Sequence, residues 1–544
     1  MLVARCLMTS VERLGGDVSA VPVAVTVERP RNPEHGDYAT NAAMQTGKRA
    51  GLASGDLAAA LAECLRGEPG VADASLAGPG FVNVTLDAAA AGALAATIVA
   101  AGDSYGRSDA LAGRAVNIEF ISANPTGPLH LGHTRWAALG DALARVLSTA
   151  GAKVTREFYV NDRGAQLDRF GESLMAVAHV RPVPPDGYHG QYIRDLAAQI
   201  VSERPDILSL PEDLQVAEFR EEGYHRQLAE QQQQLRDFRT VFDVWTSERQ
   251  LHSSGRVAHG IDVLQGQGHL YEADGALFMR TSDFGDDKDR VLVKQDGEYT
   301  YFASDTAYYV DKRERGFDSC LYLLGADHHG YVGRLKAIAA CAGDDPEQTL
   351  DVLIGQLVTI TRGGQEMRLS KRAGTIVTLQ DIVDIAGVDA VRYSLCRYPA
   401  DSPMTLDLDL VTRQSADNPV FYVQYAHARL SSILRNAADL GVELGDLDPA
   451  LLDHPREAAL LGALGEYPRV VATAAELREP HRVARYLEDT AATFHKFYDE
   501  CRVLPQGDED TTARHRARLW LVTATRQVIA NGLTLLGVEA PDRM

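Results

Sequence analysis

The sequence is short of several things, and each shortage closes a possibility. Basic residues are outnumbered, 54 Lys and Arg against 75 Asp and Glu, which gives a net charge of −21. A protein that binds nucleic acid over its whole surface needs the opposite balance. A local basic groove stays compatible with this, because charge can be segregated. Cysteines are few and scattered, at Cys6, Cys64, Cys320, Cys341, Cys396 and Cys501, with no C-x-x-C. That spacing supports neither a zinc ribbon nor a disulfide framework, and reduced, mostly buried thiols are expected. Long apolar runs are missing as well. The longest weakly polar stretch, Ala88 to Ala101, is rich in Ala and too short to span a bilayer. The opening MLVARCLMTSVERLGG has no basic end, apolar block or cleavage site of a signal peptide. A cytosolic protein without membrane contact is expected.

What is present is ordinary globular composition, 45% apolar and 24% charged over 544 residues. That length implies two to four domains. Residues 1–112 read as a small α+β module. VPVAVTVERP alternates like a strand, DLAAALAECLRG is an amphipathic helix, and GPGFVNVTLD is a strand entered through glycines. DAAAAGALAATIVAAG follows as a helix closed by Gly102.

From Ala115 the pattern becomes strand (AVNIEFIS), helix (HLGHTRWAALGDALARVLSTAG) and strand (KVTREFYV), with Gly151 as the helix stop. Such a βαβ unit builds a parallel sheet. A polar, mostly helical stretch at about 180–287 reads as an insertion. DSCLYLLGA and DVLIGQLVTIT then return to the sheet, which closes a Rossmann-like domain over 113–387. Residues 388–544 repeat apolar positions at three and four and read as an all-α bundle.

Two stretches carry chemistry. SANPTGPLHLGH, residues 122–133, lies between a strand end and its helix, where parallel sheets bind ligands. A helix N-terminus offers free N–H groups to a phosphate, and Gly132 allows close approach. His130 and His133 share a helix face and can donate to charge developing on phosphorus. H-x-G-H alone is a weak match. From four residues alone, satisfied histidines are the commoner meaning, and zinc would need further ligands, which GADHHG could provide. The second stretch, QEMRLSKRAGTIVTL, places Ser370, Lys371 and Arg372 in a compact cationic loop. Such a run is commonly a solvated surface. After the returning strands, however, a lysine there is suited to reach a triphosphate. The pair describes an ATP site for nucleotidyl transfer.

HLGH with RLSKR resembles the two signatures of class I aminoacyl-tRNA synthetases. EFISANPTGPLHLGH, EFYVNDRGAQLDRFG, YFASDTAYYVDK, NPVFYVQYAHARL, LGVEAPDRM and PRNPEHGDYATNAA extend the similarity to the bacterial-type arginyl-tRNA synthetase family over nearly the whole chain. In one departure, Arg368 and Leu369 stand where the second signature usually begins with lysine. The resemblance implies that arginine and ATP, accompanied by Mg²⁺, give arginyl-adenylate, and that arginine then passes to the terminal ribose of its tRNA. It implies activation that depends on tRNA, a monomer, no zinc and no metal ligand from the protein.

By the same resemblance His130, His133 and Lys371 are catalytic, and Gly132, Ser370, Arg372 and His328 join them around ATP. Glu119, Ser122, Asn124, Tyr301 and Asp305 line the arginine site. A carboxylate such as Glu119 inside a parallel strand is costly without a partner, independently of any family. Tyr422, Tyr425 and Arg429, at helical spacing, and the terminal Met544 are candidates for tRNA contact, although aromatics at such spacing are more often core than stacking platforms. A nucleotidyltransferase that makes an adenylated metabolite, and a non-catalytic tRNA-binding protein, are the alternatives. The extra domains oppose the first, and the intact histidines and lysine oppose the second.

Overall fold

The computed structural model describes residues 2–30, 32–367 and 377–544. In the N-terminal module, strands β1 (Tyr38–Thr40), β2 (Val71–Ala77) and β3 (Phe81–Leu86) pair antiparallel in the order β1-β3-β2. Helices Leu2–Arg13 and Ser54–Arg66 cover the sheet around Leu7, Val11, Leu57, Leu61 and Val82. VPVAVTVERP is not a strand; within it only Glu28 bridges, to Ala39. Its alternation is interrupted by Pro22 and Pro30, which cannot donate to a ladder, and Val23 is fully exposed. Helix Ala88–Ala101 buries Ala95 and Ile98 in the large core shared with the catalytic sheet and the C-terminal helices, not in the module's own core.

The central sheet contains β4 (Ala115–Glu119), β5 (Lys153–Val160) and β6 (Val244–Ser247). The antiparallel β7 (Leu270–Ala273), β8 (Ala276–Met279) and β9 (Arg290–Val293) form a side sheet. The chain re-enters the main sheet with β10 (Ser319–Gly325) and β11 (Leu350–Gly355). The order β11-β10-β4-β5-β6, all parallel, reverses direction between β4 and β10. The carboxyl ends of those two strands therefore flank the crevice where such sheets take ligands.

Two expectations are corrected here. The stretch 180–287 is not one excursion, because β6 within it is the sheet's edge strand. Four residues in polar surroundings give too little alternation to be seen. Likewise VTITR, β12 (Val358–Arg362), leaves the main sheet and pairs with β13 (Gln365–Glu366) and β14 (Met404–Asp407). β14 lies beyond residue 388, so that region is not helical throughout. Helices Pro419–Asp439, Pro455–Glu476, His481–Glu500 and Ala513–Leu535 make the bundle. Among the described residues no helix is long and apolar enough to cross a membrane.

One buried ion pair joins these parts. Asp141, in helix Leu131–Thr149, receives Arg392 at 2.5 Å, and both are almost wholly buried. Arg392 also donates to the carbonyls of Phe238 (2.8 Å) and Leu536 (3.1 Å). It thus ties the catalytic helix to the chain's last turn. Removing one partner of a buried pair strands the other charge and costs about 3–5 kcal/mol. Arg392→Ala should lower the urea midpoint accordingly; an unchanged midpoint would show that Arg145, 2.7 Å from Asp141, suffices.

Candidate functional site

The loop after β4 is built under strain. Ile121 (φ 71°) and Ser122 (φ 46°) occupy the left-handed region without being glycine, a cost of roughly 1–3 kcal/mol each. Side-chain bonds hold the turn. Ser122 Oγ donates to Glu119 Oε1 (3.0 Å) and accepts from the Tyr159 N–H (3.2 Å). Downstream, Gln231 donates to the carbonyls of Gly127 (2.7 Å) and Asn124 (3.1 Å), and the Tyr192 hydroxyl donates to that of Thr126 (3.2 Å). Both side chains come from helices in the polar 180–287 stretch, Gln191–Glu203 and Glu212–Asp237. Those helices buttress the loop. Gln231→Ala leaves two loop carbonyls without a donor, at about 1–3 kcal/mol. Adenylate formation should slow by about tenfold or more with the fold intact by circular dichroism. A change under twofold would reduce Gln231 to packing.

His130 caps helix Leu131–Thr149. Its Nδ1 accepts the Gly132 N–H (3.2 Å), and the His130 N–H reaches Nδ1 of His133 (3.4 Å). The two rings stack with centroids 3.8 Å apart. With Nδ1 accepting, each neutral ring carries its proton on Nε2, a donor suited to a phosphate oxygen. A Cβ on Gly132 would come within 3.1 Å of the His130 ring, so a side chain there would crowd the pair. Ser370, Lys371 and Arg372 lie outside the described residues. The chain returns at Val377, and Thr378 forms a β-bridge with His130 while the Leu379 N–H donates to the Leu129 carbonyl (2.8 Å). His328 is exposed in the turn Ala326–Tyr331 after β10, 3.5 Å from Asp327.

Glu119, one of the two carboxylates in the expected arginine set, has its partner. Lys312 Nζ lies 2.5 Å from its Oε2, is fully buried, and sits between the rings of Tyr308 (4.3 Å) and Tyr322 (4.0 Å). Glu157, beside Glu119 in register, is held by Arg315 in the same way. Helix Tyr301–Glu314 thus brings Lys312, and its C-cap Arg315, over the carboxylates of β4 and β5. Asp305, from the first turns of that helix, has no cation within bonding distance among the described residues, although the Arg334 charge lies near enough to favour its ionised form. It accepts the Tyr331 hydroxyl. Burial pushes its carboxyl up to about 6, with the Tyr331 bond opposing and the Glu119 charge adding.

The sequence reading missed Glu248, at the start of helix Glu248–Ser253. It is buried, its Oε2 has no hydrogen-bond partner among the described residues, and burial with the neighbouring Asp305 lifts it to about 7 against the Arg163 charge. No sequence signal marks it; one glutamate in VWTSERQ looks like any surface residue. Asp305 and Glu248 are close enough for the Asp305 charge to raise Glu248, while Arg334 partly offsets the first and Arg163 the second. Tyr301 is two-thirds exposed, its hydroxyl over Gly164, where φ is 89° and a Cβ would come within 2.9 Å. Asn124 donates to Gln166.

In the bundle, Tyr425 is exposed rather than core and Tyr422 is half-buried, both against His495. Arg429 lies over the Tyr498 ring at 3.8 Å. The chain's end is tied to the same helix through Asp542, bonded to Ser431 (2.9 Å), and Met544 is exposed beyond it.

A parallel sheet whose switch-point loop leaves a strained turn at Ile121–Ser122 and ends in a His-x-Gly-His helix cap is the arrangement of a nucleotide-activating class. The chain matches the model of the class I (R) tRNA synthetase catalytic domain over residues 96–205 and 209–395. It also matches the arginyl tRNA synthetase N-terminal domain over 3–86 and the DALR anticodon binding domain over 423–544. The chain belongs to the arginyl-tRNA synthetase family. It is 58% identical over 532 residues to an arginine–tRNA ligase of Frankia alni, covering 97% of this chain and 96% of that one. To an arginine–tRNA ligase of Kineococcus radiotolerans it is 56% identical over 529 residues, with the same coverage. In fold it is similar to the arginyl-tRNA synthetase of Thermus thermophilus, with a TM-score of 0.74, 24% identity and 99% of each chain covered.

Proposed function

We infer that the protein joins arginine to its tRNA at the expense of ATP. The arginine carboxylate attacks the α-phosphorus of ATP, forming the mixed anhydride and releasing pyrophosphate. A hydroxyl of the terminal tRNA ribose then attacks the arginyl carbonyl, and AMP leaves. What carries this reading is the pair of carboxylates Asp305 and Glu248, both lifted by burial and neighbouring negative charge, in a fold whose switch-point loop ends in the stacked His130–His133 pair.

In this reading the guanidinium lies between Asp305 and Glu248, with Tyr301 closing the site. Glu119, neutralised by Lys312, orients Ser122 and the loop rather than supplying net charge. Asn124 faces the amino acid's backbone end. His130, His133 and Lys371 stabilise charge on the reacting phosphorus, Gly132 admits the nucleotide, and Ser370, Arg372 and His328 complete its contacts. Mg²⁺ accompanies the ATP phosphates and offsets their charge. Residues 1–112 and 388–544 engage the tRNA, the latter through Tyr425, Arg429, Tyr422 and Met544. A forked cation set against paired carboxylates explains selectivity, because another amino acid leaves them unpaired.

The test is charging of total tRNA with each amino acid in turn. Only arginine should become acid-precipitable with tRNA; equal charging with lysine or citrulline would overturn the reading.

A further inference from the structure

Cys6 and Cys64 lie far apart in sequence, yet the fold brings them together in the N-terminal module. Cys6 is in helix Leu2–Arg13, Cys64 is in helix Ser54–Arg66, and Glu68 follows just past the second helix's end. The two Sγ atoms and a Glu68 carboxylate oxygen all lie within 4.8 Å of one another, with Cys6 Sγ 3.6 Å from Glu68 Oε1. We propose that Cys6, Cys64 and Glu68 form a binding site for a thiophilic divalent ion such as zinc, clamping helix Leu2–Arg13 to helix Ser54–Arg66.

The geometry is near what such an ion requires. With Zn–S of about 2.3 Å and Zn–O of about 2.0–2.2 Å, tetrahedral ligand atoms lie about 3.5–3.8 Å apart. Small side-chain adjustments therefore suffice. The carboxylate is already oriented, because Arg5 holds Glu68 Oε2 at 2.6 Å while Oε1 faces the thiol. Ligating carboxylates are commonly supported from behind in this way. Charge closes too: two thiolates and a carboxylate offset a divalent ion plus the Arg5 guanidinium. Two sulfur donors favour zinc over magnesium or calcium. Cys64 and Glu68 are half-buried, which leaves an entry path and a fourth position for water, while Cys6 anchors the site in the module's core.

The site also answers a structural need. The module has its own small core, separate from the large one of the sheet and bundle. Small cores gain disproportionately from a metal clamp. The chemistry of arginine activation does not draw on it.

The experiment uses untagged full-length protein, kept reduced with a phosphine, stripped by a chelator and titrated with Zn²⁺ and Co²⁺. One ion per chain should bind, and Co²⁺ should give a thiolate-to-metal charge-transfer band in the near ultraviolet. Cys64→Ser, at a half-buried position that tolerates a hydroxyl, should abolish the band and weaken zinc by about 100-fold or more. Arg5→Ala should weaken it by roughly 10- to 100-fold. Equal zinc affinity in wild type and Cys64→Ser, a saturated cobalt complex without the band, or a Cys6–Cys64 disulfide in place of bound metal would each overturn the proposal.

Discussion

Lys371→Ala should slow adenylate formation by roughly a hundred- to thousandfold, about 2.7–4 kcal/mol, while arginine binding stays within about twofold. The asymmetry follows from where the charge appears. In the ground state the triphosphate is solvated and accompanied by its cation. At the transition state the α-phosphorus carries extra negative charge that water no longer reaches. Losing a contact made only then lowers kcat and kcat/KM together. His130→Ala and His133→Ala should behave alike, but each also removes a helix-cap bond, since the two rings hold each other's backbone. Their loss should therefore cost some stability as well, about 0.5–2 kcal/mol for a lost cap. A Lys371→Ala enzyme within threefold of wild type would move the role to Arg368 or Arg372.

Asp305→Asn should weaken arginine by about 2–5 kcal/mol, from roughly thirtyfold upward, with ATP affinity little changed. The carboxylate is half-buried, holds the Tyr331 hydroxyl, and has no cation within bonding distance in the described structure. Both carboxylates carry their charge at a cost, as the raised values of Asp305, about 6, and Glu248, about 7, express. A bound guanidinium reverses that cost. The sign for pH follows: both groups must be ionised to hold arginine, so its KM is lowest above about pH 7. It should rise as pH falls toward 6 and below, as the two carboxylates take up protons in turn. Glu248→Gln should flatten the upper part of this profile and also raise KM. If instead KM for ATP rises in Asp305→Asn while that for arginine stays within twofold, Asp305 belongs to the nucleotide side.

What could be read in advance depended on locality. The spacing of His130 and His133 put them on one face at a helix start, where their rings stack, and the spacing of Tyr301 and Asp305 put both on one helix; the roles proposed for them came from the family resemblance. Glu119 announced itself by being a carboxylate inside an apolar strand. Its partner Lys312 did not, because the pair forms only when helix Tyr301–Glu314 packs over β4. Glu248 and Gln231 were invisible for the same reason: nothing local separates a buried polar residue in a polar helix from its exposed neighbours. β6, four residues long, is specified by its ladder with β5 rather than by its own pattern. VPVAVTVERP shows the converse, an alternating sequence that finds no partner strand.

The most direct measurement is ATP–pyrophosphate exchange with each amino acid, with and without tRNA. The account predicts exchange with arginine, dependent on the arginine tRNA, because docking on the bundle orders the crevice loops at a distance. Lys371→Ala should abolish it. No exchange with arginine even in the presence of that tRNA, or exchange with another amino acid at a comparable rate, would contradict the account.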